Sequence, residues 1–258
     1  MRLRRQYLTH NDCYQAGRVI VPRGVMVHST GADNPRVSRY VPGNELLGRN
    51  KGENHWDRPE LDKCVHAFVG RFADGEVGIV QTLPWTCRGW HCGKGRLGSA
   101  NNTHISFELC EDSLDDGDYF RAVYRQGVEL TAVLCRMYGL NPMADGVVIG
   151  HGEGAKRGIA SSHGDPDHWF RRFDRTMDDF RRDVARQMEG DEEMTQGQFD
   201  AMMADWLRRQ GEKPADSWAV QLVEAAQAKG LTDGSRPQSF ATRQEVAVMV
   251  NAALNTVK

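Results

Sequence analysis

The sequence predicts an α/β protein, a central mixed β-sheet flanked by helices, followed by a small all-α C-terminal domain. Three observations predict it. Short apolar runs of strand length alternate along residues 1–190 with stretches of helical periodicity. All nine histidines and all six cysteines lie before residue 169. Residues 191–258 hold neither and read as helix almost throughout.

Taken in order, Gly24-Val-Met-Val-His28 is a buried strand that ends in a histidine. Val65-His-Ala-Phe-Val69 and Val77-Gly-Ile-Val80 flank Ala73-Asp-Gly75, and Asp-Gly between two apolar runs is a hairpin signal because Gly accepts positive φ. His104-Ile-Ser-Phe-Glu-Leu109 alternates like a further strand. From Tyr119 to Tyr138, apolar residues at 119, 120, 123, 130, 133, 134 and 137 mark a helix with one buried face, stopped by Gly139. Val147-Val-Ile149 is a strand that leads to His151, followed by a glycine-rich polar loop. Thr176 to Met188 is helical, with Met177, Phe180, Val184 and Met188 in phase.

Met188-Glu-Gly-Asp-Glu-Glu-Met194 suits a linker. Beyond it, helices are expected over about 195–209 and 217–229. A last helix follows, N-capped by Thr242 with Glu245 completing a capping box. Sixty-seven residues in three helices make a marginal core, though a plausible one.

Composition excludes several classes. With 33 Lys+Arg against 35 Asp+Glu the net charge is −2, which argues against a dedicated nucleic-acid binder. No apolar run approaches the ~20 residues of a membrane span, and the N-terminus lacks the apolar core of a secretory signal. The cysteines include no CxxC and read as reduced and structural. There is no HExxH, no Pro-Cys-x-x-Cys and no Gly-x-Ser-x-Gly.

Histidine placement carries the chemistry. His28 and His151 each end an apolar strand, and carboxylates follow in the loop after His151. Two such histidines and one carboxylate give three protein ligands with a fourth position open, the pattern of a catalytic zinc site.

Val27-His28-Ser-Thr30, Trp90-His91-Cys-Gly93, Asn102-Thr-His-Ile-Ser-Phe-Glu108-Leu and Gly150-His151 through His163-Gly-Asp165-Pro166 occur in that order. Together they resemble the zinc-dependent N-acetylmuramoyl-L-alanine amidases, whose fold is that of the peptidoglycan recognition proteins. The resemblance runs from about residue 22 to about 187, and the detail of 151–185 is similar to clostridial-type phage endolysins. It implies one Zn²⁺ per chain, held by His28, His151 and Asp165. Glu108 falls where members place the base that deprotonates water, and His163 where they place the group that steadies the oxyanion. Some relatives instead use a tyrosine at the position of Val65. The loop from His151 to Asp165 spans 14 positions, longer than is common in the family, which leaves Asp167 or His163 open as the third ligand.

His66, Trp85, Trp90 and His91 are candidate groove residues, with Trp56 beside them. Glu153 and Lys156 are expected to face solvent, and His104 is left unassigned.

Trp218-Ala-Val-Gln-Leu-Val-Glu-Ala-Ala through Gly230-Leu-Thr-Asp-Gly234 and Ala241-Thr-Arg243-Gln-Glu245 resemble a divergent S-layer-homology module. That resemblance implies attachment to a secondary cell-wall polymer through 191–258; a homodimerisation domain is the compatible alternative. The expected partner is bacterial peptidoglycan, with no nucleic acid and no membrane span. The expected location is the host cytoplasm until lysis and the cell wall thereafter. The competing functions are a non-catalytic peptidoglycan-binding protein and a peptidase that cuts within the stem peptide.

Overall fold

The computed structural model describes residues 1–190 and 196–256. The chain divides into two compact units, Met1–Asp191 and Glu192–Lys258.

The first unit is built on six strands: β1 (Leu3–Arg5), β2 (Gly24–Ser29), β3 (Ala67–Arg71), β4 (Val77–Gln81), β5 (His104–Leu109) and β6 (Val148–Gly150). They form one mixed sheet in the order β1-β4-β3-β5-β2-β6. β3 and β4 are the antiparallel hairpin, closed by a turn in which Gly75 takes φ 88°. The other pairs are parallel.

Strand residues alternate between apolar clusters on the two faces of the sheet, which is what fixes the register; Met26 and Ile149 belong to a third, smaller cluster. Val25, Val27, Ala67, Val69, Ile105, Phe107 and Leu109 belong to one apolar cluster. Phe68 and Val80, one residue out of phase, belong to a second with Phe72, Tyr40 and Leu83. β5, which reads as alternating, is covered on both faces, as parallel strands are when helices and loops enclose the sheet.

The helices of this unit are α1 (Asp12–Gln15), α2 (Gly117–Tyr138), α3 (His151–Lys156), α4 (Asp167–Arg172) and α5 (Met177–Gly190). The Asp116 carboxylate caps α2 by accepting from the amides of Asp118 and Tyr119, and Gly139 ends it in the left-handed conformation at φ 64°. α2 and α5 pack together and cover the first core through Phe120, Val123, Leu130, Leu134, Phe180 and Val184.

The stretch after His151, expected as a loop, begins as a helix. Glycines 152 and 154 disguised it, and Gly154 is there for space: a Cβ would sit 2.7 Å from Met26 Cε. Glu153, expected in solvent, is tied down. Its carboxylate accepts from the Gly150 amide at 3.0 Å and pairs with Arg181 Nη1 at 2.9 Å and Nη2 at 3.0 Å. It therefore caps α3 and fastens it to α5. Lys156 is exposed.

The second unit contains α6 (Gln196–Gly211), α7 (Val220–Ala228) and α8 (Arg243–Thr256). At the start of α8 the Thr242 amide donates to Glu245 Oε2 at 2.7 Å and the Glu245 amide donates to Thr242 Oγ1 at 3.2 Å. The acidic stretch expected as a linker continues into residues 191–195, outside the described residues. The small core expected here is not formed: among the described residues no large apolar side chain of this unit is buried. Trp218, Leu222, Phe240, Val248 and Met249 instead line a cavity of about 860 Å³. No helix among the described residues is long and apolar enough to cross a membrane.

Candidate active site

Parallel pairing of β2 with its two neighbours assembles the site. In the β2–β5 ladder His28 stands opposite Glu108, and in the β2–β6 ladder Val27 stands opposite Gly150, so His151 follows directly. Ligand sites in such sheets lie beyond the carboxyl ends of the parallel strands. Here a cavity of about 360 Å³ opens there, lined among others by His28, Glu108, His151, His163 and Asp165.

Three donors converge within it. His28 Nδ1 lies 3.0 Å from Asp165 Oδ2 and 3.1 Å from His151 Nδ1, and His151 Nδ1 lies 3.3 Å from Asp165 Oδ1. Zn–N and Zn–O bonds of about 2.0–2.2 Å would place tetrahedral ligand atoms about 3.4 Å apart, so this triangle is close to the required size. The three residues form a group that could hold a metal ion. The carboxylate between the two histidines is that of Asp165. Asp167 instead lies 3.7 Å from Arg171.

Each histidine also has its second nitrogen engaged. His28 Nε2 is 2.9 Å from His91 Nδ1, and His151 Nε2 is 3.3 Å from Ser161 Oγ. Such outer contacts set which nitrogen keeps its lone pair and hold the ring in place. The backing is itself anchored: the buried Asn101 side chain accepts from the amides of His91 and Cys92, and Ser161 Oγ lies 3.1 Å from the Cys92 carbonyl.

The electrostatics follow from burial. Burial pushes the His28 pKa down, against the pull of Asp165. His91 is held well below the ordinary histidine range by burial and then by His28. Burial alone would raise the Asp165 pKa, but hydrogen bonds from His151 and His28 outweigh it and the carboxyl lies far below its usual value. Glu108 goes the other way, pushed well above the carboxylate range by burial and then by the negative charges of Asp165 and Glu111. Its buried Oε2 has no hydrogen-bond partner among the described residues. Two carboxylates in one cavity with oppositely shifted pKa values suit different tasks, one as an ionised ligand and one as a proton carrier.

His163 lines the cavity from its exposed side with Nδ1 3.0 Å from Ser161 Oγ. Trp90 and His91 also line it, together with Trp56. His66 and Trp85 do not. His66 is fully buried, bonded to Ser106 Oγ and the Cys87 carbonyl, and burial lowers its pKa to about 4. Trp85 stacks against His66 and packs on the first core. Both groove expectations are corrected on that ground: neither side chain lines the catalytic cavity. His104 is structural, bonded to Thr103 Oγ1 and the Gly146 carbonyl.

Two lining residues escaped sequence reasoning. Ser161 carried a faint signal, a hydroxyl two positions before His163. Lys63 carried none.

The family model for N-acetylmuramoyl-L-alanine amidase matches residues 17–168. Among solved structures the chain is similar to the hydrolase AmiA of Staphylococcus aureus in complex with its ligand, at 20% identity, covering 73% of this chain and 83% of that one with a TM-score of 0.54. It is similar to the PlyG catalytic domain at 20% identity, covering 73% and 96% with a TM-score of 0.51. It also matches the XlyA catalytic domain at 20% identity, covering 71% and 99% with a TM-score of 0.50. At these identities the likeness is one of fold. No curated protein sequence matches the chain.

Proposed function

Because the chain belongs to the N-acetylmuramoyl-L-alanine amidase family, we propose that it is a zinc-dependent peptidoglycan hydrolase of endolysin type. The bond cut is the amide between the lactyl group of N-acetylmuramic acid and L-alanine. The observation that carries this reading is the triangle of His28 Nδ1, His151 Nδ1 and an Asp165 oxygen beside a buried, unpartnered Glu108 oxygen.

His28, His151 and Asp165 hold the metal. When bound, zinc supplies Lewis acidity, which polarises a carbonyl and makes a water acidic enough to attack near neutral pH. The remaining work falls to the chain. With Nδ1 kept free of a proton, His28 carries its proton on Nε2 and donates it to His91 Nδ1; His151 likewise donates from Nε2 to Ser161 Oγ. Glu108 takes a proton from the attacking water and delivers it to the departing amide nitrogen, a task for which its place opposite His28 in the β2–β5 ladder fits it. His163, steadied through Nδ1 by Ser161, offers its other nitrogen to the charge that develops on the carbonyl oxygen. Trp56 and Trp90 supply apolar faces for sugar or peptide, and Lys63 a cation for a peptide carboxylate.

A binding-only role on this fold would not need the third ligand, and Asp165 meets both histidines. The second unit attaches the enzyme to a wall polymer through its 860 Å³ cavity, and the enzyme reaches the wall at lysis. Metal analysis of the purified full chain tests the central part of the reading. One zinc per chain, lost together with activity on chelation, is expected. A folded chain that carries no zinc and takes up none overturns it.

A further inference from the structure

A second concavity in the first unit, distinct from the catalytic cavity, has a volume of about 550 Å³. Four cations line it, Arg36, Arg39, Arg49 and Lys51, with Asn34 and Asn54 between them and no carboxylate. Several other arginines of the same unit are paired, Arg2 with Asp74, Arg157 with Asp145, Arg181 with Glu153 and Arg182 with Asp179. Here Arg39 Nη1 donates only to the Asn54 carbonyl, at 2.8 Å. The Arg36, Arg49 and Lys51 side chains form no hydrogen bond or ion pair among the described residues. In a chain of net charge −2, four cations gathered around one hollow whose lining holds no carboxylate make a local positive field. An anion in the hollow offsets it.

Two hydrogen-bonded links tie the rim of the hollow to the rim of the catalytic cavity, though no residue lines both. On one side the Asn34 amide donates to the Glu111 carbonyl at 2.9 Å and the Glu111 amide to Thr30 Oγ1 at 3.0 Å, and Thr30 lines the catalytic cavity. On the other the Trp56 amide donates to the Tyr40 carbonyl, next to Arg39, and Trp56 lines the catalytic cavity. We propose that this concavity is an oxyanion subsite that grips carboxylate or phosphodiester groups of the cell wall beside the bond being cut. Guanidinium groups present paired N–H donors matched to both anions. The proposal rests on the peptidoglycan reading above and extends it to a second contact surface.

The two anion sources are stem-peptide carboxylates and phosphodiester wall polymers. The test compares the full chain with its R36Q/R49Q/K51Q variant, whose altered side chains make no bonds within the fold and lie outside the catalytic cavity. An R36K/R49K variant that keeps the charges serves as the control for folding. Co-sedimentation with isolated bacterial walls is measured across a salt series, before and after hydrofluoric acid strips phosphodiester polymers, and turnover is measured on a soluble disaccharide-peptide.

About tenfold weaker wall binding at low salt is expected for the glutamine variant, with a shallower salt dependence. Binding by the lysine variant falls between wild type and the glutamine variant, because the charges are kept and the paired N–H donors are lost. A loss that persists on stripped walls, with a raised KM and unchanged kcat on the soluble fragment, assigns the subsite to stem carboxylates. A loss confined to unstripped walls, with KM unchanged, assigns it to the phosphodiester polymer. Binding and KM equal to wild type on every substrate overturn the proposal. Failure of the wild type to hydrolyse any wall overturns the peptidoglycan reading instead, and the binding comparison still decides the subsite.

Discussion

Glu108 is where chemistry and stability pull apart most clearly. A buried carboxyl whose pKa is raised on folding favours its protonated form, so its contribution to stability is full below the unfolded pKa and is lost as pH rises through the folded one. Glu108→Gln removes that loss. In metal-free protein, thermal melts should show the variant more stable than wild type by about 1–3 kcal/mol at alkaline pH, with the gap closing in acid. Turnover should fall at least about 10²-fold while zinc is retained. A variant with full turnover removes Glu108 from the mechanism. His91 acts through His28, so His91→Leu should weaken zinc binding by about 10- to 100-fold in a chelator competition, with His91→Gln recovering part of it. Unchanged affinity would reduce His91 to packing. His28 and His151 were legible as histidines that follow apolar strands, whereas Asp165 was legible only through the family resemblance, since spacing left Asp167 and His163 open. His66 and Trp85 were misplaced because residue type alone cannot tell a groove wall from the packing behind it.

At the scale of elements, the site depends on how α3 is fixed. His151 is its first residue, and the Glu153 carboxylate joins its N-terminus to Arg181 of α5. Glu153→Ala removes a cap and leaves a largely buried guanidinium with Asp178 and the Val148 carbonyl as its remaining partners. The expected cost is about 1–3 kcal/mol, read as a fall in Tm of several degrees. A Tm within one degree of wild type would show that packing alone positions α3. Strands β2 to β5 and helices α2 and α5 could be read from periodicity, since each carries a run long enough to show its repeat; β6, with three residues, was read from the apolar run that leads to His151. β1, with only three residues, and α1 and α4, each about a turn or two long, show no period. α3 was hidden by glycines present for close packing.

For the whole molecule, the histidine-free C-terminal stretch marked a change in composition that coincides with a change in structure. The helices there were legible, but their burial was not, because apolar spacing says which face would be covered and nothing about what covers it. The first unit carries the three apolar clusters around the sheet and the candidate metal ligands. A chain ended at residue 190 should therefore fold, keep its turnover on soluble fragments and lose affinity for intact walls in a sedimentation assay. Undiminished wall binding would refute the anchoring role of the second unit. The most direct test of the account as a whole is mass analysis of purified peptidoglycan digested by the full chain. The account predicts intact stem peptides with a new L-alanine N-terminus, released from glycan whose lactyl groups end in free carboxylates. Stem peptides cut after L-alanine, or glycan that keeps its peptides untouched, would contradict it.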